Sequence, residues 1–249
     1  MNQRFKQFLI SLWSCQTGRK PSGLSWRDCW GILFQEIRYQ PLLFPDGTVI
    51  PQRCSASVID SRDKLKHLDL PEDLNGKTFM DIGCAEGFFV REAARRNARL
   101  ASGCDLTASR IEIAKKVAAT WPFDQRVRFR VGSLFDIPDD WRADIVTCLS
   151  VCHHLHGGNH DTWQMLSSPE RHHAALGNML QAVEKVASLT GEFTIWEYCY
   201  EYGTPKSGLI DYALLGKTWV DNGLYQQVIF KGLSQDTPTK DRAVYHAFR

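Results

Sequence analysis

The stretch KTFMDIGCAEGFFVREAARRNA, residues 77–98, decides the fold. Its opening run, TFMDIG, has the length and apolar character of a buried strand. FFVREAARRNA then repeats apolar residues at helical spacing. Between the two lie Asp81, Gly83, Cys84, Ala85, Gly87 and Phe88. Two glycines in such a turn let the backbone reverse sharply and let a ligand approach closely, where a side chain would collide. A strand passing through glycines into a helix also builds the crevice in which open α/β sheets bind their ligands.

Outward from this unit the same alternation continues. LASGCD (100–105) reads as a second strand ending on Asp105, and SRIEIAKKVAATW (109–121) as its crossover helix, with Ser109 and Glu112 placed as a capping box. VRFRVGS (127–133) is a third strand, and ADIVTCLSV (143–151), apolar almost throughout, has the character of a central parallel strand. Ser168-Pro169-Glu170 signals a helix start, with Ala174, Ala175, Met179, Val183, Val186 and Ala187 on its buried side. GEFTIWEY (191–198) is a fifth strand, and LYQQVIFKG (224–232) and DRAVYHAF (241–248) suit a closing antiparallel hairpin.

Upstream, Phe5, Phe8, Leu9, Leu12 and Trp13 recur at helical spacing, and Pro45-Asp46-Gly47 marks a turn. The expected architecture is α/β: a doubly wound, mostly parallel seven-stranded sheet with a C-terminal antiparallel hairpin, carried by residues 77–249. Residues 1–76 form an N-terminal extension of helices and a hairpin that packs on it.

Composition narrows the function classes. The chain has 249 residues and a formal net charge of +2, so sequence-independent nucleic-acid binding has little electrostatic drive. Eight cysteines, at 15, 29, 54, 84, 104, 148, 152 and 199, fall in apolar runs without a CxxC pair. They read as reduced, mostly buried thiols of a cytoplasmic protein. The apolar part of MNQRFKQFLISLW is too short for a secretory signal, and no segment has the length of a membrane span.

At the tip of the second strand, Asp105 can accept hydrogen bonds from both hydroxyls of an adenosine ribose. A dinucleotide-binding loop would require G-x-G-x-x-G, but Ala85 stands at the middle glycine and Phe88 at the third. The pyrophosphate cradle is missing, which moves the expected cofactor from NAD to a nucleoside without phosphates, S-adenosylmethionine.

DIGCAEGFF resembles the first motif of the class I, Rossmann-like S-adenosylmethionine-dependent methyltransferases, and GCD their second. VGSLFDIP is similar to their adenine-flanking segment, and ADIVTCLSVCHHL to the strand ending beside the transferable methyl. The resemblance implies that Asp81, Gly83, Cys84, Ala85, Gly87 and Phe88 line the methionine and ribose side, and that Asp105 and Leu106 border the ribose. It further implies Ser133 and Leu134 at the adenine, and Leu149 and Ser150 at the sulfonium. Families of this class often carry an acid where Ser133 stands. LLFPDGTVIP with LKHLDLPEDLNGKTFMDIGCAEGFF also resembles the branch containing the tRNA wobble-uridine carboxymethyl-transferring enzymes and small-molecule or sugar methyltransferases. The chain lacks an evident basic RNA-binding stretch, so the branch is read as ancestry and not as a substrate.

The acceptor side starts at HHLHGGNHDTW, where His153, His154, His156 and His160 crowd together. Their spacing matches no helix-borne zinc pattern and Gly157-Gly158 loosens the loop, so no metal is expected. A histidine near its reference pKa can instead take the proton of an attacking hydroxyl. His153 is the first candidate base, His156 the second, and His154 the more structural of the three. Trp196-Glu-Tyr-Cys-Tyr-Glu-Tyr202 would either line a polar acceptor pocket, with Glu197 the leading residue, or simply alternate one buried and one wet face. Residues 206–219 read as a helix serving as lid or core. Together these features point to O-methylation of a small hydroxylated acceptor, a sugar or secondary metabolite. The alternatives are an RNA acceptor, reached through Arg4, Arg19, Arg27, Arg38, Arg53 and Arg62, and a non-catalytic protein that binds the cofactor.

Overall fold

A computed structural model of the chain describes residues 20–33, 38–53, 60–151, 180–199, 212–237 and 240–249. The extension contributes helix α1 (Trp26–Leu33), a hairpin of β1 (Leu42–Leu43) and β2 (Val49–Ile50), and helix α2 (Ser61–His67). Asp46 fastens the hairpin turn by accepting from the Thr48 N–H at 2.9 Å. The sheet-bearing part follows as β3 (Thr78–Ile82), α3 (Phe88–Arg95), β4 (Leu100–Asp105), α4 (Ala108–Ala118), β5 (Val127–Val131) and β6 (Ala143–Leu149). Helical residues 180–189, here α5, lead into β7 (Thr190–Cys199), which α6 (Tyr212–Asp221), β8 (Gln227–Thr237) and β9 (Lys240–Phe248) complete.

The seven strands lie in the order β5-β4-β3-β6-β7-β9-β8. Pairings from β5 to β7 are parallel, and β9 joins β7 and β8 antiparallel. The sheet is therefore the doubly wound, mostly parallel one that the sequence implies, closed by the C-terminal hairpin. Successive residues of the central strands bury on opposite faces, as the two-residue strand period requires. Met80, Val146, Trp196 and Tyr245 join the cluster that α5 and Trp219 of α6 cover. Phe79, Ile145, Ile195 and Val244 join the cluster that α3 covers. Both faces are dry, which explains the unbroken apolar runs.

A third cluster joins Leu24, Cys29, Ile32, Leu42, Phe44 and Ile50 of the extension to Ile113 and Val117 of α4. The indole N–H of Trp121 donates to the Leu43 carbonyl at 3.3 Å, adding a polar tie between them. Among the described residues, no helix is long and apolar enough to cross a membrane.

One local expectation is corrected. α4 begins at Ala108 behind Thr107, so Ser109 lies inside the helix and cannot cap it with Glu112. The reason is the preceding carboxylate: Asp105 accepts from the Thr107 N–H at 2.8 Å and turns the chain into the helix two residues early. A capping box forms instead at Ser133 and Asp136, around the 3-10 turn Leu134–Asp136. The helix start expected at Ser168-Pro169-Glu170, with Ala174, Ala175 and Met179, lies outside the described residues, whereas Val183, Val186 and Ala187 are buried.

Candidate functional site

The glycine loop occupies the carboxyl edge between β3 and α3. Gly83, Ala85 and Gly87 all have positive φ, at 73°, 46° and 75°. A Cβ on Gly83 would lie 2.3 Å from Val151 Cγ2, and one on Gly87 2.6 Å from Phe129 Cε1, so both positions exclude side chains by space as well as by backbone. The N–H groups of Gly83 and Cys84 both donate to the Cys104 carbonyl at 2.9 Å, which locks the loop to the end of β4.

Asp105 closes the other side. One carboxylate oxygen accepts from the Ala85 N–H at 3.0 Å and the other from Thr107 N–H, so the acid is held in place by loop and helix together. Leu106, next in the chain, is 71% exposed, and Phe135 beside Leu134 is 52% exposed. These apolar groups at a strand edge suit a flat ligand better than water. Leu134 itself is buried, and Ser133 accepts from the Phe135 N–H at 3.0 Å while its own N–H donates to Asp136. Asp136, three residues beyond Ser133, is engaged in this turn.

Asp81 lies at the end of β3, buried, with one oxygen accepting from Thr147 Oγ1 at 2.7 Å and Oδ2 without a hydrogen-bond partner. Burial pushes its carboxyl up to about 7, against the Thr147 hydrogen bond; the charge of Asp105 adds to the rise and Lys64 opposes it. A buried carboxylate with unused acceptor capacity is a seat for a cation.

Two residues that sequence reading passed over set the character of the loop. Glu86 is fully buried and accepts from the Tyr39 and Gln40 N–H groups at 3.2 and 3.1 Å; burial raises its pKa. The Gln40 side-chain oxygen in turn accepts the first free N–H of α3, that of Phe88, at 2.7 Å. The donor that a dinucleotide loop offers to phosphate is therefore taken by a neutral amide, beside a buried acid. Tyr39 and Gln40 are some 46 residues away in sequence, and nothing local to them signals this contact. The Phe88 ring and Cys84 thiol are buried in the core, leaving their backbone at the loop.

At the acceptor edge, β6 ends on buried Leu149 and on Ser150, whose φ of 56° turns the chain out of the strand. The Ser150 N–H donates to the Glu197 carbonyl at 3.0 Å, and its hydroxyl to the Glu197 carboxylate. Lys64 of α2 reaches the same carboxylate oxygen at 2.8 Å. Glu197 is thus fully buried, as is Trp196 beside it, so β7 has no wet face at this point. His153, His154, His156 and His160 lie outside the described residues, as do Tyr200, Glu201, Tyr202 and residues 206–211. The end of α6 belongs to the core: Trp219 is buried, with ring centroids 5.1 Å from Trp196 and 5.8 Å from Tyr245. Among the described residues no group of His, Cys, Asp and Glu could hold a metal ion.

A family model for a methyltransferase domain matches residues 73–242, more than half of the chain. The chain belongs to this methyltransferase family. With the sheet order and the loop described above, it is a class I, Rossmann-like enzyme whose cofactor is S-adenosylmethionine. The loop fits that cofactor: it offers a cation seat at Asp81, close backbone at Gly83 and Gly87, and no vacant phosphate cradle.

The methyltransferase is 28% identical over 94 residues to the ubiquinone biosynthesis O-methyltransferase of Neisseria meningitidis serogroup C, covering 37% of this chain and 39% of that protein. It is 27% identical over 93 residues to the enzyme of the same description from Coxiella burnetii, covering 37% and 38%. The match spans about two fifths of the length of these curated relatives. Among solved structures, the N-terminal domain of EvdMO1, determined in the presence of SAH and D-fucose, superposes with a TM-score of 0.58 at 12% identity, over 92% of this chain and 99% of that one. Magnesium protoporphyrin IX methyltransferase (ChlM) from Synechocystis PCC 6803, with bound SAM, superposes at 0.53 and 19% identity, over 76% and 78%. These likenesses show the fold.

Proposed function

We propose that the methyltransferase O-methylates a small hydroxylated acceptor, a sugar or a phenolic secondary metabolite. The observation carrying this reading is the closed polar edge at β6 and β7, where Ser150, Glu197 and Lys64 bind one another. Buried Glu197 and Lys64 hold the half-buried Ser150 in place from behind, so a small polar molecule docked at this edge would meet a fixed hydroxyl. One of the arginines considered for an RNA acceptor supports this: Arg38 is buried and donates to the Ile32 carbonyl at 2.8 Å. The names of the partial relatives, O-methyltransferases, agree with hydroxyl as the acceptor group. The upstream resemblance to the wobble-uridine branch is kept as ancestry.

When bound, S-adenosylmethionine supplies a methyl group activated by its sulfonium. In this reading Asp81, Gly83, Cys84, Ala85, Gly87 and Phe88 hold the methionine and ribose side, Asp105 and Leu106 the ribose, Ser133 and Leu134 the adenine, and Leu149 and Ser150 the reacting end. The rate gain comes chiefly from placing hydroxyl and methyl in line. His153 would take the proton of the acceptor hydroxyl as it becomes the methyl ether, with His156 and His154 as the other candidates. Glu197 anchors Ser150 and so shapes the acceptor edge.

Incubating the purified protein with methyl-labelled S-adenosylmethionine and a panel of catechols, hydroquinones, deoxysugars and bulk tRNA tests the proposal by mass spectrometry. A gain of one methylene on a hydroxyl compound is expected. Label in tRNA alone, or saturable cofactor binding with no transfer to any acceptor, would overturn it.

A further inference from the structure

The extension reaches the glycine loop through Tyr39 and Gln40, whose N–H groups both donate to Glu86. Tyr39 follows Arg38, which is bridged by backbone bonds to Arg53, and precedes Gln40, which caps α3. Its N–H is fixed to Glu86 of the glycine loop, so its backbone cannot drift from the site. The residue is nevertheless 38% exposed. One face is occupied by the guanidinium of Arg110, 4.3 Å from the ring centroid. Arg110 projects from the first turn of α4, and its Nη1 lies 3.9 Å from Asp105 Oδ1. Ring, guanidinium and carboxylate thus form a continuous row.

We propose that Tyr39 and Arg110 form a wall of the nucleoside part of the cofactor site, making the extension a component of S-adenosylmethionine binding. The proposal rests on the placement of the cofactor ribose at Asp105. A ribose bonded to that carboxylate would lie beside the row, since Arg110 is 3.9 Å from Asp105 and 4.3 Å from the Tyr39 ring centroid, with exposed Leu106 next in the chain. An aromatic ring already stacked on a guanidinium is a rigid flat surface, which packs against sugar and base at little cost in side-chain entropy. Arg110 also steadies the Asp105 carboxylate from the solvent side. Its cation would thus bear on the nucleoside end of the cofactor, beside Asp105.

Calorimetric titration of Tyr39→Ala, Tyr39→Phe and Arg110→Gln decides the matter, using S-adenosylhomocysteine and methylthioadenosine as probes. Removing the ring is expected to weaken both probes about tenfold, the usual scale for loss of an aromatic stacking surface. Tyr39→Phe restores affinity, because the ring and not the hydroxyl makes the wall. Equal affinity of wild type and Tyr39→Ala overturns the proposal. So does a loss confined to S-adenosylhomocysteine, which would place the ring at the amino-acid end. Absence of binding of both probes to the wild type would instead sink the underlying cofactor placement. Should Tyr39→Ala fail to fold, Arg110→Gln reads the same wall, and unchanged affinity for methylthioadenosine there counts against it.

Discussion

Lys64 and Glu197, 133 positions apart in sequence, meet at 2.8 Å with both side chains almost wholly removed from solvent. The contact ties α2 of the extension to the end of β7, and through Ser150 to the end of β6. Breaking a buried pair by removing one partner leaves an uncompensated charge and costs about 3–5 kcal/mol. Lys64→Ala is therefore expected to lower unfolding free energy by about 3 kcal/mol in denaturant titration, and Lys64→Met with Glu197→Gln together to recover most of it. A loss under about 1 kcal/mol for Lys64→Ala would mean that the pair is hydrated in solution.

Asp81 makes cofactor affinity and stability depend on pH in opposite senses. Its folded pKa of about 7 stands above the ordinary value of 3.8, so the folded protein holds a proton that the unfolded chain has released between them. The stabilisation from that group is complete below the unfolded value and is lost as pH rises through the folded one. Ligand-free protein is expected to melt lower at about pH 8 than at about pH 6, and Asp81→Asn to remove this part of the slope. A cationic ligand favours the carboxylate, so S-adenosylmethionine should bind more tightly at the higher pH. Calorimetric affinities that are equal at the two pH values would contradict this.

Asp105 is expected to be the costliest cofactor residue to truncate. Its carboxylate holds the N–H groups of Ala85 and Thr107, and hydrogen bonds to a charged group contribute about 1.5–3 kcal/mol each. Asp105→Ala should reduce S-adenosylmethionine affinity by about a hundredfold or more. Asp105→Asn, which retains acceptor capacity on one side only, should fall between.

At Gly87 a methyl group would meet Phe129 at 2.6 Å and Ala114 at 3.1 Å, on a backbone with φ of 75°. Left-handed backbone costs an L-residue about 1–2 kcal/mol, and overpacking a further 1–3. Gly87→Ala is expected to destabilise the fold by about 2–4 kcal/mol, read from the denaturation midpoint. A shift within error would show that Phe129 can move aside.

For His153 the sequence-based role as base is separable from binding. His153→Ala should lower kcat by about 10²–10⁴ while leaving S-adenosylmethionine affinity near the wild-type value. His154→Ala should lower both stability and kcat together if that residue is structural. An unimpaired kcat in His153→Ala, with loss in His156→Ala, would move the base to the second histidine.

Much of this molecule was legible in its sequence because the relevant interactions are local. β4 runs from Leu100 to Asp105, the run identified by its apolar pattern, and β6 and β7 coincide with their apolar runs within a residue or two. The position of Asp105 at the strand tip follows from the same reading. The capping box at Ser109 failed because the helix already begins at Ala108, behind Thr107, whose N–H is held by Asp105. Of the run from Trp196 to Tyr202 only Trp196 and Glu197 have described side chains, and both are buried because β7 is covered on both faces there.

The sequence by itself determined the strand and helix alternation, the glycine turn and its departure from G-x-G-x-x-G at Ala85 and Phe88, since each depends on residues within a few positions of one another. Tertiary structure alone decided what takes the Phe88 N–H and what closes the acceptor edge. Gln40 reaches Phe88 across 48 positions and Lys64 reaches Glu197 across 133. Such contacts leave no periodicity in the chain, because their partners are chosen by where the sheet order brings them and not by spacing.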